Sequence, residues 1–291
     1  MSELRLSANE HTEHFTLLTA IGPEGIAPEI DEEGNVCPVV PCGEVTLEWL
    51  RLVQPVGLPQ TSGGHCARCT GGATLHVIAC RAFSPDSPCF NANGSGSRLT
   101  LSNVVVKRAS AAVVVHGGLL HADECTFAGC ARPAVETREG GEAVLRGCTF
   151  TKCTSQAAII YQGGRRLELH SCTVRQCGSL RLPAVQMDEG VSLLRNCTIE
   201  DNPANAIIVQ GNVMPHALTE PVALLDNCRM ERNDCGLCIF YGSAVVTGCT
   251  FTGSQPMHSL AVLCTVYRRT SWWYCAGTHS HTMVPAPFQP T

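Results

Sequence analysis

The sequence predicts an all-β chain, wound as a single-stranded right-handed parallel β-helix, a solenoid of about ten coils. Two observations carry this prediction. A phrase built on one cysteine recurs at nearly constant spacing, and the apolar residues around each copy fall at strand intervals with a bend between them. The phrase stands at Cys125-Thr126-Phe127, Cys148-Thr149-Phe150 and Cys249-Thr250-Phe251, with relatives at Cys172-Thr173-Val174, Cys197-Thr198-Ile199 and Cys228-Arg229-Met230. The six cysteines are 23, 24, 25, 31 and 21 residues apart. Self-similarity at such a period is the mark of a stacked-repeat architecture. Fainter copies extend upstream to Val104, Cys80 and Leu50. The long interval holds a polar insertion at 213–221, which reads as a loop.

Each unit can be justified in order. In Ala143-Val-Leu-Arg-Gly-Cys-Thr-Phe150, the inward positions are Ala143, Leu145, Cys148 and Phe150, so the steps are two, three and two. A step of two means strand and the step of three means a corner, which gives two short strands joined by a two-residue bend. A variable polar loop follows, such as 151–156. A third apolar run comes next, at 111–115, 157–161, 184–187, 206–209 and 237–241. Many units then close on glycine, as at Gly140-Gly141, Gly163-Gly164 and Gly190. One such coil cannot bury its inner face alone, but stacked coils share a continuous core. At ~4.8 Å per coil the rod is on the order of 45–50 Å long. The domain reading is a loose polar segment at 1–14, the β-helix over 15–265, and a C-terminal cap and tail at 266–291. The cap carries the aromatic stretch 267–274, and its Trp, Tyr and Arg content would also suit a docking site.

Composition narrows the function. The 291 residues are 44% hydrophobic, 5% aromatic and 15% charged, with a net charge of −5. No basic run offers the clustered cations that nucleic acid or an anionic membrane requires, and no apolar stretch approaches the ~18 residues of a membrane span. Nineteen cysteines cannot all pair within one chain. With no apolar signal segment at the polar N-terminus, the expectation is a cytoplasmic or nuclear protein with reduced thiols, not a secreted one.

In a stacked solenoid, columns replace motifs. The main cysteine column points inward, and a second one, Cys130, Cys153 and Cys177, lies five residues later in or near the following turn. Asn103, Asn196 and Asn227 precede the main column and suit a tight corner. One position earlier, facing out, stand Arg146, His170, Arg195 and Asp226, the candidate protein-binding strip, on which an acidic peptide could lie. No catalytic, cofactor-binding or metal residues are assigned. The Cys-x-x-Cys pairs Cys66/Cys69 and Cys235/Cys238 are too far apart on a stiff rod to share a tetrahedral zinc. A local site from His65, Cys66 and Cys69 is the alternative to a plain thiol core.

The repeats resemble the right-handed β-helix of the pectate-lyase superfamily. Within it they are most similar to the cysteine-rich intracellular group that includes the F-box-only proteins. The carriers are the Cys-Thr-Phe units, the Asn196 and Asn227 corners, and an opening like Leu17-Leu-Thr-Ala-Ile-Gly22 followed by Gly34-Asn-Val-Cys37. The resemblance implies a non-enzymatic recognition or scaffold module, with ubiquitin-ligase components or substrates as partners. No F-box is visible, so the recognition half alone is implied. The alternative is a carbohydrate-active enzyme, a lyase or hydrolase. Its hydrolytic form wants two carboxylates facing one another. The neighbours Asp188-Glu189 and Glu200-Asp201 lie on different turns, and the polygalacturonase-like elements Asp-Asp, Gly-His-Gly and Arg-x-Lys do not occur.

Overall fold

The computed structural model describes residues 3–7, 27–30, 36–40, 43–48, 51–53, 65–211, 222–240, 242–253 and 262–265. The 213–221 insertion, most of the 15–40 opening and the 266–291 cap lie outside the described residues. Three parallel sheets run the length of the solenoid, with ten, nine and eleven strands among those residues. A complete coil shows the grammar of all. Glu142–Arg146 lies in the first sheet, Gly147 and Cys148 turn the corner, and Thr149–Thr151 lies in the second. A loop then leads to Ile159–Tyr161 in the third sheet. Every strand of this coil pairs in parallel with its counterparts above and below. Among the described residues there is no helix long and apolar enough to cross a membrane.

The corners share a backbone conformation rather than a residue type. Asn103, Asn196 and Asn227 hold φ near +54°, as do Glu124 and Ser171, while Ala79 at +50°, Gly147 and Gly248 hold the same corner in other coils. Left-handed backbone costs an ordinary L-residue roughly 1–2 kcal/mol, least for Asn and Gly. The corner donors are satisfied between coils: Gly147 N–H donates to His170 O at 2.9 Å and Asn196 N–H to Asp226 O at 3.0 Å. Asn227 Nδ2 also donates to Asn196 Oδ1 at 2.7 Å, an amide pair on the exposed edge.

Inside, the columns stack in register. The main cysteine column is buried from Cys125 to Cys228 and half-buried at Cys249. Each of these thiols donates to the carbonyl two residues before it, Cys148 to Arg146 O and Cys197 to Arg195 O among them. Cys148, Cys172 and Cys197 also reach the carbonyls of Ala122, Leu145 and Leu169 in the coil before. Hydrogen bonds to Cys148 and Cys197, with burial added, push the Cys172 thiol far up, so it stays protonated. Phe127 and Phe150 stack beside them with ring centroids 5.0 Å apart.

The second cysteine column ends in a feature the sequence reading missed. Five residues after Cys197 and Cys228 stand Asn202 and Asn233, both buried. Asn202 Nδ2 donates to Asn233 Oδ1 at 2.8 Å, and Asn233 Nδ2 to Ile199 O at 2.8 Å. Asn202 Oδ1 accepts from the Cys177 N–H at 2.8 Å. The interior asparagine ladder is therefore this pair, while Asn196 and Asn227 form an outer one.

At the N-terminal end, Glu3–Ser7 is a strand, although 1–14 reads as a loose segment. It pairs in parallel with Glu44–Glu48, placing Leu4 and Leu6 opposite Val45 and Leu47. The alternation of Leu4 and Leu6 is long enough to extend the first sheet by one strand. Ala27–Ile30 pairs antiparallel with Val36–Val40, so the third sheet starts with a reversed strand.

Candidate interaction face

The outer face of the first sheet collects the residues singled out for binding. Its strands place Asp123, Arg146, His170, Arg195 and Asp226 in one row, each in register with the next. The sequence reading put four of these five together and omitted Asp123, which occupies the same place two residues before Cys125. That omission changes the electrostatics. Arg146 Nη1 is 3.7 Å from Asp123 Oδ1, and Arg195 Nε donates to Asp226 Oδ2 at 2.9 Å. The row is not an open line of cationic donors, because an acid at each end takes up the adjacent arginine. Both pairs are solvent-exposed, where such bridges are worth about 0–1 kcal/mol, so a partner carboxylate can exchange for Asp123 or Asp226 at low cost.

His170 is half-buried and its Nε2 lies 3.1 Å from Glu168 Oε2. Arg166 contacts the other oxygen of the same carboxylate. Burial opposes ionisation of Glu168, but the hydrogen bonds from His170 and Arg166 outweigh it and hold the carboxyl below its ordinary range. The centre of the row is thus tied to a buried carboxylate on its own strand.

Next to this row lies an apolar block that the sequence reading did not mark. Val191 is in register with Val222, and Leu193 with Leu224, which is in register with Val245. All five side chains face outward. Val191 is 47% and Val245 56% exposed, with the other three half-buried. A parallel sheet normally has both faces covered. A clustered apolar face, unlike a lone exposed leucine, marks a contact surface. Arg195 and Asp226 border the block directly, so apolar area and charge-paired polar groups meet on three adjacent coils.

Other candidates are dispersed. His65 Nδ1 donates to Pro88 O at 3.2 Å, Cys66 Sγ to Leu52 O at 3.7 Å and Cys69 Sγ to Arg98 O at 3.5 Å. The three turn to different carbonyls and do not converge, and among the described residues no group of three or more His, Cys, Asp and Glu side chains could hold a metal. Burial pushes the Cys69 thiol up to about 12. The two acidic pairs lie apart from one another: Asp188 accepts from the Gln162 and Gln186 amides, while Glu200 and Asp201 share Arg232, just past the second-sheet strand Arg229–Glu231.

Burial brings the His65 imidazole down to about 4. Between the ordinary histidine value of ~6.5 and that lower one, the unfolded chain binds the proton and the native chain does not. Stability is therefore fully present above pH ~6.5 and falls as pH drops towards 4. We expect this one group to remove about 1–3 kcal/mol over that window. Urea unfolding at pH 7 and pH 4.5 checks it: a His65→Asn variant should lose less on acidification than the parent, and an equal loss would refute the assignment.

The model of the right handed beta helix region matches residues 88–251, more than half of the chain. The chain belongs to the right-handed β-helix family. The matched span contains the whole charged row and the apolar block up to Val245. No curated protein matches the chain, and no solved structure does. The family describes the scaffold, and β-helix scaffolds carry many unrelated functions, so function has to be argued from the face itself.

Proposed function

We propose that this β-helix is a non-enzymatic protein-recognition module and that its partner seats across the outer face of the first sheet. One observation carries the reading: Val191, Leu193, Val222, Leu224 and Val245 form a continuous outward apolar block bordered by Arg195 and Asp226. Covering half-exposed valine and leucine side chains contributes about 1 kcal/mol each. The charged row fixes orientation more than it adds affinity. Stacked coils hold these side chains at ~4.8 Å intervals on a stiff backbone, so little entropy is lost when the face is covered. Substrate recognition within a ubiquitin-ligase-type assembly, inside the cell, is the specific form of this role, resting on the resemblance to the cysteine-rich intracellular β-helices.

The test uses the full chain as bait in extract from its own cells. A Leu224→Lys, Val245→Lys double variant should lose tenfold or more of its captured partner, equivalent to about 1.4 kcal/mol. Arg195→Glu should weaken capture less, because Asp226 already occupies that arginine. A Thr149→Lys control on the second sheet should capture like the parent, and all variants should keep the β-sheet circular dichroism. Undiminished capture by the double variant, or oligosaccharide turnover by the purified chain, would overturn the reading.

A further inference from the structure

The third sheet holds a pair of thiols with a geometry unlike that of the ladders. Cys235 and Cys238 belong to one strand, Cys235–Phe240, which lies between Asn205–Gln210 and Val262–Thr265. In a straight strand, residues three apart point to opposite faces. Here Cys238 Sγ donates to Cys235 Sγ at 3.3 Å, so the chain bends at Cys235 and Gly236, where it turns into the sheet. Earlier coils bend at the equivalent place: the N–H groups of Ala112 and Val113 both reach Ala134 O. A disulfide needs the sulfurs at ~2.05 Å, a closure of little more than an ångström from the present contact.

We propose that Cys235 and Cys238 form a peroxide-sensitive dithiol site, with Cys235 as the attacking sulfur and Cys238 as the resolving one. The Cys235 thiolate attacks one oxygen of hydrogen peroxide, and the O–O bond breaks. Hydroxide leaves and takes a proton to become water, and Cys235 becomes a sulfenic acid. Cys238 then attacks that sulfur, the S–O bond breaks, and a second water departs with the Cys238 proton. Two thiols are oxidised by two electrons, and one peroxide is reduced to two waters.

The direction of the hydrogen bond sets the roles. S–H donation from Cys238 favours the Cys235 thiolate, against burial and the nearby Asp234 carboxylate, and lowers that thiol from its ordinary value. The same contact, with burial, raises Cys238. Access sets the oxidant. Cys235 is 8% exposed whereas Cys148 and Cys172 are at 0% and 1%, so a molecule as small as peroxide reaches it before the interior ladder thiols, leaving the half-buried Cys249 at the end of the column as the one ladder thiol more open than it among the described residues.

The experiment treats the reduced full chain with hydrogen peroxide, followed by non-reducing proteolysis and fragmentation mass spectrometry. The expected product has lost two hydrogens, shows no backbone cleavage between Cys235 and Cys238, and is restored by dithiothreitol. In a Cys238→Ser variant, which keeps a donor to Cys235 but has no resolving thiol, the sulfenic acid should persist, and a dimedone probe should label Cys235 about tenfold faster than Cys172. A disulfide from Cys235 to Cys249 or Cys264, or no oxidation at this strand while ladder thiols react, overturns the proposal. So does dimedone labelling spread evenly over the cysteines. The parent chain alone decides the disulfide, so the proposal stays falsifiable if the variant does not fold.

Discussion

Replacing Phe150 by alanine is expected to destabilise the protein by about 3–5 kcal/mol, the usual cost of emptying a buried aromatic site. Phe150 is fully buried and its ring stacks on Phe127 at 5.0 Å with an interplanar angle of 26°. Its strand pairs with Thr126–Ala128 on one side and Thr173–Arg175 on the other, so the surrounding backbone is held from both directions and cannot collapse into the cavity. Urea unfolding should show a lower midpoint for Phe150→Ala. Phe150→Leu should recover much of the loss, since Val174 already fills the same column one coil later. A Phe150→Ala midpoint within about 1 kcal/mol of the parent would mean that the coils relax independently, contrary to a shared close-packed core.

The second large effect is expected at the buried amide ladder. Asn202→Ala removes the donor to Asn233 Oδ1 and the acceptor for the Cys177 N–H. A buried donor left without a partner costs about 1–3 kcal/mol, and each lost net hydrogen bond adds about 1 kcal/mol. The sum is roughly 3–5 kcal/mol. Asn227→Gly provides the contrast. It breaks the 2.7 Å amide contact to Asn196, but that contact is exposed, and glycine already holds the same corner at Gly147 and Gly248. Its cost should stay below about 1 kcal/mol. Equal losses from the two variants in denaturant melts would show that the inner and outer ladders are not distinguished by burial.

Particular residues show how far the sequence could be read. The corner at Gly147 and Cys148 was legible because the three-residue step between Leu145 and Cys148 breaks a period of two, and the structure bends there. The Asn202–Asn233 ladder was hidden by chemistry rather than by spacing. Both residues stand five positions after a main-column cysteine, where Cys130, Cys153 and Cys177 stand in other coils, but polar side chains do not announce themselves as core. The apolar block was hidden for the opposite reason. In Val191-Ser-Leu-Leu-Arg195 and Val222-Ala-Leu-Leu-Asp226 both faces of the strand carry apolar or small residues, so alternation is lost and the outward ones pass for core. The row from Arg146 to Asp226 was legible in place, but its charge balance depended on Asp123, which acts only through register with the next coil.

The central claim is that a protein partner covers the outer face of the first sheet. Site-specific photo-crosslinking in the full chain, expressed in its own cells, tests it most directly, with a benzophenone side chain placed at Leu224 and, separately, at Thr149 on the second sheet. The expected result is one discrete protein adduct from Leu224, absent from Thr149 and lost when Val245→Lys is added. The same adducts from both positions, or none from Leu224 while Thr149 yields one, would contradict it.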